Sequence, residues 1–306
     1  MCEFALDNKD EFRRVVVLDN PKKTLPSGWN VALREYKGDA IIKVDAHAVI
    51  PEDFVSKNVR VLETGEYICG GQRPNIIDKP TPFKETLLLA ESSMFGSSIA
   101  SYRNNPGKTY VKSLFHAAYR REVFEKVGFF NEELVRTEDN EIHYRMRKAG
   151  YKLCFDPDII SYQYTRSSLK AMLKQKYANG YWIGKTSKVC PKCLSIYHFV
   201  PFAFVSAIIA SGSVIGATGL AECIKKRHNH TLGKGISALR KVTVVLTTVM
   251  WVLYALMASG MAAVSAFKAE DKRNITNACL PVLFLLLHLS YGIGTIAGLM
   301  DKSKRG

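Results

Sequence analysis

Three long stretches without a charged side chain set the first limit on how this chain folds: 193–221, 242–267 and 274–300. Each exceeds the ~20 residues that an α-helix needs to cross a bilayer. Phe284-Leu285-Leu286-Leu287 and Val249-Met250-Trp251-Val252-Leu253 are too apolar for the surface of a soluble helix. Spans are therefore expected near 197–220, 242–267 and 276–299, within a transmembrane region 193–306. Of the 43 Lys+Arg and 28 Asp+Glu in 306 residues, that region holds only 12 and 4, so 1–192 reads as the soluble part. Three full crossings from a cytosolic start carry Lys225, Lys226, Arg227, Lys234, Arg240 and Lys241 outside, against the positive-inside rule. A first span that turns back, or lies in the interface, keeps them inside, and Pro201, Gly212, Gly216 and Gly219 permit such a break. Both arrangements remain open at this point.

Residues 166–192 carry seven Lys+Arg and no acid. Leu169, Met172, Leu173 and Tyr177 recur at helical spacing, with Tyr181 and Trp182 beyond them. A basic amphipathic helix with aromatics suits an anionic membrane interface, so membrane lipids are expected partners. The net charge of +15 tracks the membrane segments, which argues against nucleic acid as a partner. Seven scattered cysteines oppose a disulfide framework and favour a reducing compartment. Cys190-Pro191-Lys192-Cys193 is a lone pair, and a structural zinc site needs four ligands, so two reduced thiols are expected there. The first seven residues have neither a basic region nor an apolar run of a secretory signal.

In the soluble part, strand-like and helix-like segments alternate. Strands are expected at 13–18, at 39–44, at 67–72, at 111–116 and at 151–155, the last stopped by Asp156-Pro157. Residues 22–29 read as a loop. Helices are expected at 30–36, at 51–63, from 84 towards 104, at 120–127 ended by Gly128, and at 138–148 ended by Gly150. Ser92, Ser93, Gly96, Ser97 and Ser98 suggest a ligand-sized turn. The alternation indicates an α/β fold with a mostly parallel sheet.

Asp45 and His47 close the strand led by Gly38-Asp39. Residues two apart in an extended segment point the same way. A carboxylate and an imidazole then project together from the carboxyl end of a strand, where open α/β sheets place ligands. That pair suits a divalent cation bridging a diphosphate.

Several motifs then converge. They are Leu18-Asp19-Asn20-Pro21, Gly38-Asp39 leading to Val44-Asp45-Ala46-His47-Ala48, and Gly70-Gly71-Gln72-Arg73-Pro74. Ala118-Tyr119-Arg120-Arg121-Glu122-Val123-Phe124 with Val127-Gly128, and Leu134-Val135-Arg136-Thr137-Glu138-Asp139-Asn140-Glu141, complete the set. Together they resemble the family 2 glycosyltransferases of GT-A fold. The resemblance is to their membrane-bound succinoglycan branch, which makes exopolysaccharide and capsule. It implies a GT-A-like, Rossmann-like sheet with helices on both faces in a catalytic domain at 1–165. An interfacial helix at 166–192 and the transmembrane region follow.

The resemblance implies roles. Asp45 stands for the first Asp of a D-x-D-like motif that contacts donor ribose and metal-diphosphate, and His47 takes its third place. Both would hold a divalent cation, Mg2+ or Mn2+. Asp139 stands for the catalytic base, with Glu138 beside it. Asp39, Gln175 and Lys176 fall to the donor; Gly71, Gln72 and Trp182 fall to the acceptor. The implied activity is inverting transfer of a sugar from a nucleotide-sugar, expected to be UDP-linked, to a lipid-linked or saccharide acceptor. The implied place is the inner (plasma) membrane, multi-pass, with the catalytic domain cytoplasmic.

Two departures stand out. Where the family has a Gln-x-x-Arg-Trp-like element, this chain has Gln175 but Ala178 at the Arg position, which moves diphosphate contact to Lys176. The family's opening strands, which carry the base-contacting Asp, have no counterpart, so the fold is expected to be N-terminally incomplete by about 60–80 residues. The alternative expectation is a truncated, inactive membrane remnant, or a partner subunit of a split enzyme.

Overall fold

The computed structural model describes residues 14–96, 107–228, 233–269 and 273–303. Cys2, the start of the expected first strand, Ser97, Ser98 and most of the loop after them lie outside the described residues.

The soluble part begins with α1 (Leu25–Glu35), where Pro26 occupies the first turn and its missing N–H costs nothing. Helix therefore starts inside the expected loop. Residues 14–18 form no strand, and Val16, Val17 and Leu18 stay exposed. Strands are held by cross-strand partners, and among the described residues this apolar run has none. There follow β1 (Ala40–Ile42), β2 (Ala48–Val49), α2 (Phe54–Glu63), β3 (Ile68–Gln72), β4 (Asn75–Ile76) and α3 (Pro82–Ser92). Thr81 caps α3 by accepting from the Lys84 amide. Next come β5 (Thr109–Val111), β6 (Ala118–Arg120), α4 (Arg121–Val127), α5 (Glu138–Lys148), β7 (Leu153–Ile160) and β8 (Tyr162–Tyr164). α4 ends on Gly128 in a positive-φ conformation, as its sequence predicts.

The main sheet has the order β1-β6-β3-β7-β5, and β2-β8-β4 forms a smaller one. It is mixed, not mostly parallel: of its four pairings only β3–β7 is parallel. β1, β3 and β7 do run in one direction, as the alternation implies. But β6 inserts antiparallel between β1 and β3, and β5 adds antiparallel at the edge. The expected strand at 111–116 ends at Val111, and β7 runs on through Pro157. That proline is tolerated because the β3–β7 register slips between Gly70 and Gln72, opposite Phe155 and Ile160.

Alternate strand residues feed two cores. Ile41, Ile68, Tyr119, Leu153 and Phe155 pack with α1, α4 and α5 through Leu33, Phe124, Ile142 and Met146. Ile42, Cys69, Ala118 and Cys154 face the other way, onto Phe54, Val61 and Leu62 of α2. Helices thus cover both faces of the sheet. The six described cysteines are free.

α6 (Leu169–Val189) is the expected basic helix, capped by Ser168. After it come α7 (Val200–Arg227), α8 (Lys234–Lys268) and α9 (Leu280–Met300). Three helical stretches, at 196–227, 234–268 and 275–300, are long and apolar enough to cross a membrane. α7 is continuous: Pro201 lies in its first turn, and Gly212, Gly216 and Gly219 do not interrupt it. α9 differs from its neighbours, because 39% of its most apolar stretch is buried in protein, against 6% for each of the others. It lies parallel to α6, with Tyr177 against Gly294, Tyr181 against Gly298 and Gly184 against Leu299. At the end of both helices, Lys185 pairs with Asp301 and Lys188 donates to the Asp301 carbonyl.

Candidate active site

β1 delivers the chain to Lys43, and Asp45 follows beyond the strand. The Asp45 carbonyl accepts from the Ala48 amide at 2.9 Å, which closes a turn carrying His47. The alternation argument for Asp45 and His47 therefore does not apply, since neither lies in the strand. His47 is exposed and meets Gln163 of β8 at 3.2 Å. Asp45 turns instead to His116, whose Nε2 lies 3.7 Å from Oδ2, an electrostatic contact longer than a hydrogen bond. The other His116 nitrogen, Nδ1, is 2.8 Å from the Ser161 hydroxyl. Burial opposes ionisation of Asp45, but His116 and the Lys43 charge outweigh it and hold the carboxyl below the usual carboxylate range. Burial keeps the His116 imidazole below the usual histidine range, against the pull of Asp45.

α5 brings the second pair of carboxylates. Its first residues, Glu138 and Asp139, follow Thr137, and His143 one turn on meets the Tyr119 hydroxyl of β6 at 2.8 Å. That contact fixes the helix on the sheet. Lys43 joins the two halves: its Nζ is 2.8 Å from Asp139 and 3.9 Å from Glu138. The ammonium is buried, 5.3 Å from the Trp29 ring and 5.7 Å from Phe115. Burial disfavours its charge, but Asp139, Glu138 and Asp45 together raise its pKa. Arg73, also buried, stacks its guanidinium 3.8 Å over Phe115. Glu138 is sealed in, with Oε2 unpartnered, and burial together with the Asp139 charge pushes it up to about 8. Asp139 keeps a path to solvent, with 18% of its side chain exposed.

The other expected residues are spread out. Asp39 is exposed at the opposite end of β1 from Asp45, where its carbonyl accepts from the Arg121 amide. Gly71 answers to packing: a Cβ there would lie 2.0 Å from the Ile159 carbonyl across the β3–β7 slip. The Gln72 carbonyl accepts from the Ser161 amide at 2.9 Å. Lys176 is buried and pairs with Glu91 of α3 at 3.4 Å. Gln175 presents a buried Oε1 without a hydrogen-bond partner. Trp182 is buried on α6, one turn before Thr186, whose hydroxyl meets that of Thr137. Arg136 donates to Asn179 of α6 at 3.0 Å. α6 thus flanks the start of the carboxylate helix between Asn179 and Thr186. Gln175 lies ~16 Å along the axis from Thr186.

Lys43, His116 and Arg73 escaped the sequence reading. Lys43 carries a signal in hindsight, because a lone lysine in the apolar run 40–44 must find a counter-charge if that run is buried.

These side chains fit a divalent cation of the kind held by one carboxylate, substrate phosphates and water. Asp45 Oδ1 is buried and, among the described residues, without a hydrogen-bond partner, as a carboxylate oxygen directed at a ligand would be. Among the described residues, no group of three or more His, Cys, Asp or Glu could hold such an ion alone.

The pattern of the glycosyl transferase family group 2 matches residues 40–294, most of the chain. The chain belongs to that family. Among relatives of this family 2 chain is the succinoglycan biosynthesis protein ExoA of Rhizobium meliloti (strain 1021). It is 28% identical over 58% of this chain and 54% of that protein. Another is a dolichyl N-acetyl-alpha-D-glucosaminyl phosphate 3-beta-D-2,3-diacetamido-2,3-dideoxy-beta-D-glucuronosyltransferase of Methanococcus voltae. It is 24% identical over 67% of this chain and 64% of the relative. The O-antigen chain rhamnosyltransferase RfbN of Salmonella typhimurium is 29% identical over 42% of each chain. This family 2 chain thus spans between half and two thirds of the length of the first two.

Proposed function

We propose that this chain is an inverting glycosyltransferase of polysaccharide biosynthesis. It moves a sugar from a nucleotide-sugar, UDP-linked in our reading, to a lipid-linked or saccharide acceptor. It acts at the cytoplasmic face of the inner membrane, as a multi-pass protein. The observation that carries the reading is the Lys43 bridge, which ties the Asp45 turn to the Asp139 carboxylate across 96 residues. An inverting transfer needs a carboxylate to take the acceptor hydroxyl proton as that oxygen attacks the anomeric carbon. Asp139 lies 2.8 Å from Lys43 and reaches solvent, so it serves as that base. Glu138, sealed and raised towards 8, holds the start of α5 and sharpens the local charge balance instead. A divalent ion on Asp45 would hold the donor diphosphate, and His47 lies two residues on in the same turn. A Mg2+ or Mn2+ ion held by Asp45 would offset the charge of the leaving nucleotide diphosphate. Lys43 holds Asp139 in place and, with Arg73, keeps the donor side of the site cationic.

A membrane remnant has no use for a buried ammonium poised between carboxylates, since such a group is costly to fold. Donor binding tests the proposal. Asp45→Asn should abolish metal-dependent UDP affinity measured by calorimetry on the full-length protein in nanodiscs. Unchanged affinity would sink the assignment of Asp45.

A further inference from the structure

A polar cavity of about 80 Å³ lies on the face of α5 away from Lys43, at the foot of the first span. Asn140 and Arg147, two turns apart on one face of α5, form one side, and Lys112 faces them. Lys192, in a short helical turn, and Ser195, which caps the next turn before α7, close the other. A single water needs roughly 10–15 Å³ of such space, so the cavity admits a group of several heavy atoms. No acidic side chain among the described residues lines it. Among the described residues, neither Lys112, Arg147 nor Lys192 forms an ion pair. Arg147 Nε is buried without a hydrogen-bond partner among the described residues. Three converging cations and an orphaned guanidinium N–H call for an anion with several acceptor oxygens. The place narrows its chemistry, because residue 200 begins a helix fit to span a membrane.

We propose that this cavity binds the phosphate group of a membrane-embedded amphiphile. Asn140 lines it and follows Asp139 on α5, about 100° further around the axis, so the cavity lies beside the turn that carries the base and not on its face. The inference rests on the reading of Asp139 as the base for a membrane-bound acceptor.

Its test uses the full-length protein in phosphatidylcholine nanodiscs, titrated by calorimetry with dodecyl phosphate, dodecanol and inorganic phosphate. Dodecyl phosphate should bind saturably and at least tenfold more tightly than either comparator. Arg147→Gln and Lys192→Gln should each weaken it about tenfold, the loss expected of a charge-assisted bond. Lys112 is exposed, so Lys112→Gln should fold irrespective of the fate of Arg147→Gln, and it should weaken binding as well. UDP affinity, read on the same samples, should be unchanged in all three. A wild-type protein that fails to bind UDP while still binding dodecyl phosphate would count against the functional reading and leave the cavity assigned. Nanodiscs containing phosphatidylglycerol separate the sources. Displacement of dodecyl phosphate there assigns the cavity to bulk anionic headgroups, and retention assigns it to a lipid-linked acceptor. Equal binding of dodecanol or inorganic phosphate, or equal affinity in wild type and variants, would overturn the proposal.

Discussion

A buried ammonium survives only where its charge is met, and Lys43 meets Asp139 at 2.8 Å between the rings of Trp29 and Phe115. Lys43→Met should therefore cost about 3 kcal/mol, the low end for a broken buried pair, because Asp139 can turn to solvent. Denaturant unfolding reads this directly, and an unchanged midpoint would contradict it. Glu138 gives a pH signature. Its carboxyl is raised to about 8 in the fold, so the native state holds a proton that the unfolded chain releases near 4.3. Its contribution is full below the unfolded value and is lost as pH rises through about 8. Glu138→Gln should leave the melting temperature little changed at pH 5 and raise it relative to wild type at pH 8. A difference that does not grow with pH would show that Glu138 ionises freely.

At the scale of elements, α6 and α9 meet through glycine. A Cβ on Gly298 would lie 2.0 Å from the Tyr181 carbonyl, and one on Gly294 would lie 2.1 Å from that of Tyr177. Backbone cannot yield as a side chain can, so Gly298→Ala should cost about 1–3 kcal/mol. Gly216 on α7 has nothing within 4 Å of the same position, and Gly216→Ala should be neutral or stabilising. Melting in detergent compares the two, and equal effects would contradict the close packing. None of this was legible in the sequence, where 276–299 reads as a span like the others. Hydropathy reports how apolar a helix is, not whether lipid or protein covers it. Strand direction was hidden for a related reason. β6 is three residues long, carries no pattern of its own, and enters the sheet far from its sequence neighbours. The helix at 138–148 was legible to the residue and the one ending at Glu63 to within three residues at its start, because their punctuation is local.

Across the whole molecule, a two-faced α/β domain sits on a platform of apolar helices. The intact chain should pellet with membranes and resist carbonate extraction, because α7 and α8 leave most of their apolar surface uncovered by protein. Its recovery in the soluble fraction would contradict that arrangement. The candidate site is a property of this whole and not of a segment. Asp45, Glu138 and Asp139 stood out in the sequence through their motifs, but their links did not. Lys43 and His116 become partners of these carboxylates only when β1, the loop before β6 and the start of α5 come together. The central claim is that this assembly uses Asp139 as a base. The most direct measurement is nucleotide-sugar consumption by Asp139→Asn, with donor affinity read in parallel on the full-length protein in nanodiscs. The account predicts nearly intact donor binding and turnover reduced by roughly 10²–10⁴, with a smaller loss for Glu138→Gln. Wild-type turnover in Asp139→Asn would contradict it.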